Sequence, residues 1–234
     1  MAITQETLLL SDHPSPRSRR STQPLLDVGA WINGRYLLQG VVGKGGMATV
    51  FKALDTQTDR WVAIKIPLPK MFNVDGLHQR FAFEHAVTRA LSGPHGVHVF
   101  DHGVHHQARK NVCGLPWIAM ELLPGESLRT RLKRHGRFSP HQAIDILIPM
   151  LKGLRHAHRR GIIHRDLKPD NIFLVSAGDR CMVKIIDYGV ALVQPGLWTG
   201  PSPPSSQGRR MIGTPAYMAP EQCLSRHPLT HAID

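Results

Sequence analysis

The chain has 234 residues, 41% of them hydrophobic and 20% charged, with a formal net charge of +12. That is a globular composition, long enough for one large or two small domains; it holds no apolar run near the roughly 18 residues a membrane-crossing helix needs, and Leu8-Leu9-Leu10, with no basic region ahead of it, is too short for a secretion signal. Three scattered cysteines, Cys113, Cys181 and Cys223, form no Cys-x-x-Cys pair, which points to a reduced, cytoplasmic setting.

Residues 1–33 contain the Ser/Pro/Arg tract Ser11 to Ser21 and little that could bury apolar surface, so a disordered tail is expected. Strands are predicted over Tyr36–Val42, Thr49–Leu54 and Trp61–Ile66, joined by short turns into an antiparallel meander. Asp75 to Leu91 has helical spacing, with Leu77, Phe81, Val87, Thr88 and Leu91 on one side. Glu84 falls on that same stripe. A carboxylate on an inward face is expensive unless paired, so this helix asks for a buried cation. Two more strands are predicted at Val97–Val104 and Trp117–Leu122, flanking a polar insert from His105 to Leu115. A short basic helix follows at Ser127–His135. Ser139-Pro140 then starts a long helix whose Ala143, Ile144, Leu147, Ile148, Leu151 and Leu154 repeat at three and four, predicting a buried face. Pro149 should kink it or open a turn.

Charge and histidine content suggest two further ideas. Residues 1–34 carry three arginines and three acidic residues, so the excess positive charge lies in 35–234. A basic body suits acidic partners such as nucleotide phosphates or acidic peptides. The basic residues are dispersed and few aromatics alternate with them, which argues against a dedicated nucleic-acid surface. His95, His98, His102, His105 and His106 have no cysteine or carboxylate cluster beside them except Asp101, so loop histidines are favoured over a metal site.

Three groups of residues carry chemistry. His164-Arg165-Asp166-Leu167-Lys168-Pro169-Asp170-Asn171 sets a carboxylate, an ammonium and a carboxamide within six positions, between a helix and a short strand. Phosphoryl transfer needs that mix: a carboxylate to orient a hydroxyl, a cation near the moving phosphate, a neutral oxygen for a metal. Gly43-Lys44-Gly45-Gly46 joins two strands, and small residues there let backbone N–H groups approach phosphates. Lys65 lies in an otherwise apolar strand. Pairing it with Glu84 explains the burial of both.

Together these motifs resemble the eukaryotic-type protein kinases, and bacterial Ser/Thr kinases in particular. The run at 164–171 is similar to the family's catalytic loop, Gly43 to Val50 to its Gly-rich loop (with Ala48 at the third glycine), Val62-Ala63-Ile64-Lys65 to its third-strand lysine motif, Asp187-Tyr188-Gly189 to Asp-Phe-Gly with tyrosine for phenylalanine, and Gly213 to Glu221 to the peptide-docking segment. The resemblance implies an α+β, two-lobed fold: a small antiparallel β lobe over 34–123, and an incomplete, mainly helical large lobe over 124–234. It implies ATP and Mg²⁺ as cofactors and transfer to Ser/Thr hydroxyls of protein substrates. Asp166, Lys168, Lys65 and Glu84 take the catalytic roles; Asn171 and Asp187 hold metal. Gly43, Lys44, Gly45, Gly46, Val50, Ala63, Lys65, Met120, Glu121, Leu123 and Phe173 hold the nucleotide, with Glu121 and Leu123 at the adenine-binding hinge and Met120 as gatekeeper. Thr199, Ser202, Ser205 and Ser206 are expected phosphate acceptors in a switch loop, docking on Arg165.

The resemblance also implies that His231-Ala232-Ile233-Asp234 starts the helix whose Asp anchors the catalytic loop, and that the helices normally after it are missing here. The long helix would then leave apolar surface uncovered. The alternatives to an active enzyme are an ATP-binding or scaffolding fragment that is catalytically silent, a basic nucleic-acid-binding module, and a small-molecule kinase of related fold.

Overall fold

A computed structural model describes residues 25–106, 114–177, 180–204, 212–224 and 229–234. A six-stranded antiparallel sheet forms the first lobe in the order β1-β2-β3-β4-β6-β5. Its strands are β1 (Trp31–Ile32), β2 (Tyr36–Lys44), β3 (Ala48–Asp55), β4 (Arg60–Pro67), β5 (Val99–His105) and β6 (Leu115–Glu121). The period-2 pattern works as expected: Phe51 and Ala53 of β3 bury against Leu38, Val62 and Ile64, while the residues between them stay partly exposed. The expected tail ends earlier than residue 33. Ile32 is fully buried, β1 pairs with β2, and Leu25, Leu26 and Ala30 pack against this core. Residues 1–24, with the Ser/Pro/Arg tract, lie outside the described residues, as do 107–113 of the polar insert.

Helix α1 (Leu77–Ala90) packs on this sheet. Leu77 and Phe81 share a cluster with Ile118, Val99 and Met71 of the first lobe. Phe83, Val87 and Leu91 instead join the core of the second lobe, with Leu154, Ile172, Ile185 and Tyr188. One helix thus belongs to both cores, so its position depends on how the lobes meet.

The second lobe contains β7 (Gly125–Ser127), α2 (Leu128–His135), α3 (Pro140–His158), β8 (Ile162–Ile163), β9 (Ile172–Ala177), β10 (Arg180–Ile185), β11 (Leu192–Val193) and the short α4 (Pro220–Leu224). β9 pairs with β10 and β7, and β8 with β11. The small strands β7, β8 and β11 are not predicted from sequence, because two or three residues have no readable period. Gly125 is required where it stands: φ is +138°, and a Cβ would meet the Leu174 carbonyl oxygen at 2.0 Å.

Helix α3 departs from expectation in the burial of its apolar stripe. It begins as predicted, with a Ser139–Gln142 capping box, but Pro149 does not interrupt it. The proline removes the bond to the carbonyl of Asp145, and Asp145 is exposed, so solvent is within reach of the carbonyl left without that donor. Nor is the apolar stripe buried. Ile144, Leu147, Ile148 and Leu151 are 46–57% exposed, and only Gly153, Leu154 and Ala157 are buried. Periodicity identifies the stripe; whether something covers it is a tertiary matter. The uncovered face matches the expectation drawn from the resemblance.

Candidate active site

Lys65 lies on β4 opposite Val50 of β3 and Ile118 of β6. Its ammonium donates to Glu84 of α1 and, at 2.8 Å, to Asp187 of the loop after β10. The Lys65 side chain is 12% exposed and that of Glu84 10%. Burial alone would push the Lys65 ammonium down, but Asp187 and Glu84 outweigh it and hold it above its ordinary value. Lys65 likewise holds the Asp187 carboxyl down, at about 2. Burial, added to the charge of Asp187, moves Glu84 upward despite Lys65. One ammonium is shared by two carboxylates, Glu84 and Asp187. The outward-facing surface lysine, the other reading of Lys65, is excluded. Gly189 completes the junction, because a Cβ there would sit 3.1 Å from Glu84 Oε2.

A second cluster forms on the loop between β8 and β9. Lys168 Nζ donates to Asp166 Oδ2 at 2.6 Å and to Thr214 Oγ1 at 2.7 Å; the Thr214 hydroxyl donates to Asp166 Oδ1 at 2.7 Å. The buried Asn171 donates its amide N–H to the Asp166 carbonyl at 2.9 Å, which leaves the amide oxygen, the atom a hard cation takes. Thr214 is not among the site residues expected from sequence, although it lies within the peptide-docking motif. The signal is Gly213. Its φ is +129° and a Cβ would meet the Arg165 carbonyl at 2.8 Å, so this glycine lets the segment lie on the catalytic loop.

The loop is held from below. Asp234 accepts the backbone N–H groups of His164 (2.7 Å) and Arg165 (2.8 Å), and its carboxylate lies 2.9 Å from His158 Nε2. That is the anchoring expected of this aspartate. Arg165, with φ +67°, is buried, and its guanidinium donates to the carbonyls of Val190 (2.6 Å) and Ala191 (3.3 Å). Burial lowers it to about 10. Thr199 and Ser202 are exposed; Ser205 and Ser206 lie outside the described residues.

Gly43, Lys44, Gly45 and Gly46 form the β2–β3 hairpin, closed by Gly45 N–H to the Ala48 carbonyl at 2.8 Å. Gly46 has no left-handed φ, and a Cβ added there would meet nothing within 4 Å, so the protein's own packing does not demand a glycine. A ligand approaching the backbone would. Ala63 is buried, and Val50, Met120, Leu123 and Phe173 are partly buried. The Glu121 carboxylate accepts from Lys184 Nζ at 2.6 Å and from the His98 N–H at 2.7 Å. Lys184 also donates to the carbonyls of Gly93 and Gly96. This buried lysine, which no sequence motif singles out, fixes the connector between the lobes. Among the described residues no group of three or more histidines, cysteines and carboxylates could hold a metal, and Cys223 is a free, exposed thiol.

Known proteins resemble this chain over most of its length. Residues 36–234 match the family described as Protein kinase domain. The probable serine/threonine-protein kinase PknB of Bifidobacterium longum is 35% identical over 195 residues, covering 82% of this chain and 27% of that protein. PknA of Mycobacterium tuberculosis, a serine/threonine-protein kinase, is 36% identical over 208 residues, covering 88% and 45%. A probable PknB of Corynebacterium glutamicum is 37% identical over 195 residues, covering 83% and 29%. The chain thus spans less than half the length of these relatives.

Proposed function

The chain belongs to the protein kinase domain family, and on that premise we propose that it transfers the γ-phosphoryl group of ATP to serine and threonine hydroxyls of proteins. The observation that carries this reading is the hydrogen-bonded set Asp166–Lys168–Thr214, in which a threonine hydroxyl already rests on the candidate base beside a cation. Asp166 accepts the proton of the acceptor hydroxyl as its oxygen forms a bond to phosphorus and the bond to the ADP oxygen breaks. Lys168 neutralises charge on the moving group. Lys65, positioned by Glu84, meets the α- and β-phosphates, and the hairpin at 43–46 lies over them. Asn171 and Asp187 are the residues that would hold Mg²⁺, and their amide and carboxylate oxygens suit a hard cation. When bound, that ion supplies charge neutralisation between the phosphates. Val50, Ala63 and Phe173 enclose the adenine, and the backbone of Glu121 and Leu123 reads its edge, with Met120 behind.

Protein acceptors with Ser/Thr are the proposed substrates, the chain's own Thr199, Ser202, Ser205 and Ser206 among them, and the cytoplasm is the proposed setting, as the scattered cysteines suggest. Among the described residues no helix is long and apolar enough to cross a membrane. A second reading, a nucleotide-binding scaffold without transfer, is favoured by the uncovered face of α3. Radiolabelled ATP, Mg²⁺ and a generic basic protein substrate separate the two. The parent is expected to incorporate phosphate at least about a hundredfold faster than Asp166→Ala, with both retaining nucleotide affinity. Equal, background incorporation by both, with nucleotide still bound, would establish the scaffold instead.

A further inference from the structure

A cavity of ≈ 310 Å³ lies between α3 and the loop that follows α1. Its α3 wall presents Lys152, Arg155, His156 and Arg159. Their spacing of i, i+3, i+4 and i+7 puts all four on one helix face. Opposite stand His95, in the loop after α1, and Tyr188 of Asp-Tyr-Gly. No aspartate or glutamate lines the cavity, and among the described residues no carboxylate pairs with Lys152, Arg155 or Arg159.

Two ordinary explanations fall short. The helix dipole favours cations in the last turn only, and Lys152 stands before it. Like charges three and four apart destabilise a helix, and a solvated surface offers no reason to gather them around a concavity. The walls are also preformed. A Cβ on Gly153 would approach the Cβ of His95 at 3.0 Å and Ile185 Cδ1 at 3.1 Å, so helix and loop touch at the cavity wall. Arg160 and His95 add to the burial that lowers His156, as expected where positive potential accumulates.

We propose that this cavity binds a small oligophosphate, pyrophosphate being the simplest, at a site distinct from the one between the glycine hairpin and the catalytic loop. The volume stands at the lower end of ligand pockets and suits a di- or triphosphate group better than a whole nucleotide. Tyr188 lines the cavity, and the hydroxyl that distinguishes it from phenylalanine can donate to such a group. The inference does not depend on phosphoryl transfer by the other site.

The test titrates the chain with pyrophosphate by calorimetry, with and without a saturating non-hydrolysable ATP analogue, and maps slowed amide exchange. Binding is expected to persist with the analogue present and to slow exchange at residues 91–96. Affinity is expected to fall about tenfold or more in Lys152→Gln/Arg155→Gln, whose exposed side chains can change without disturbing the core. Loss of binding on adding the analogue, an exchange footprint confined to residues 43–50, equal affinity in the double variant, or no binding by the parent would each overturn the proposal.

Discussion

Thr214 is the residue on which Asp166 and Lys168 meet. Its hydroxyl donates to one and accepts from the other, so removing it takes away one corner of the set and leaves only the direct Lys168–Asp166 contact at 2.6 Å to hold the two side chains. Thr214→Ala is expected to lower kcat about tenfold or more, with little change in the KM for ATP, and Thr214→Ser to recover most of the rate, because only the hydroxyl is used. Steady-state kinetics with varied ATP reads the split. A different kind of residue effect sits at His85 on α1. It is buried, stacked on His102 with ring centroids 3.6 Å apart, and burial, with the neighbouring His102 and Arg89, lowers it from 6.5 to about 4. Between those values the unfolded chain takes up a proton that the folded one refuses, so stability falls as pH drops from about 6.5 towards 4. His85→Phe is expected to flatten the dependence of Tm on pH across that window. An unchanged slope in thermal melts would show that His85 is not its source.

At the scale of the element, α3 shows how one helix can have a settled and an unsettled face. Leu154 and Ala157 sit in the second lobe's core, and Gly153 lets the helix close on the loop at 93–96. On another face, Ile144, Leu147, Ile148 and Leu151 point outward. A contiguous apolar stripe in water favours association, whereas replacing exposed side chains costs little, within about 0.5 kcal/mol each. Ile144→Gln/Ile148→Gln/Leu151→Gln is therefore expected to leave Tm nearly unchanged and to reduce concentration-dependent self-association in sedimentation velocity. A large drop in Tm would mean that the face is packed in solution. Helix α1 is the contrasting case. It is buried on most sides because two lobes use it, and its Glu84 finds the cation that its inward position demands.

For the whole molecule, the contacts that matter for chemistry are the long ones. Lys65 reaches Asp187 across 122 positions, joining the sheet to the second lobe. Lys184 and Glu121 tie β10 to the connector across 63 positions. Asp234 supports a loop 70 positions earlier. The first two links make the placement of catalytic side chains conditional on both lobes being in register, so disturbance of one lobe is felt in the other; the third holds the catalytic loop within the second lobe.

Much of this was legible in the sequence. The alternating strands, the helical spacing of α1 and α3, the Ser139 cap and the 164–171 run are local patterns, and local patterns report local geometry. Even the Lys65–Glu84 pair could be inferred, because an ionised group on an apolar face needs a partner wherever that partner lies. Thr214 and Lys184 were not legible, and the exposed half of α3 was expected from the resemblance and not from its own spacing. A hydroxyl among many, a lysine in a strand and an apolar stripe acquire their meaning from what lies opposite, and only the tertiary structure brings those opposite surfaces together.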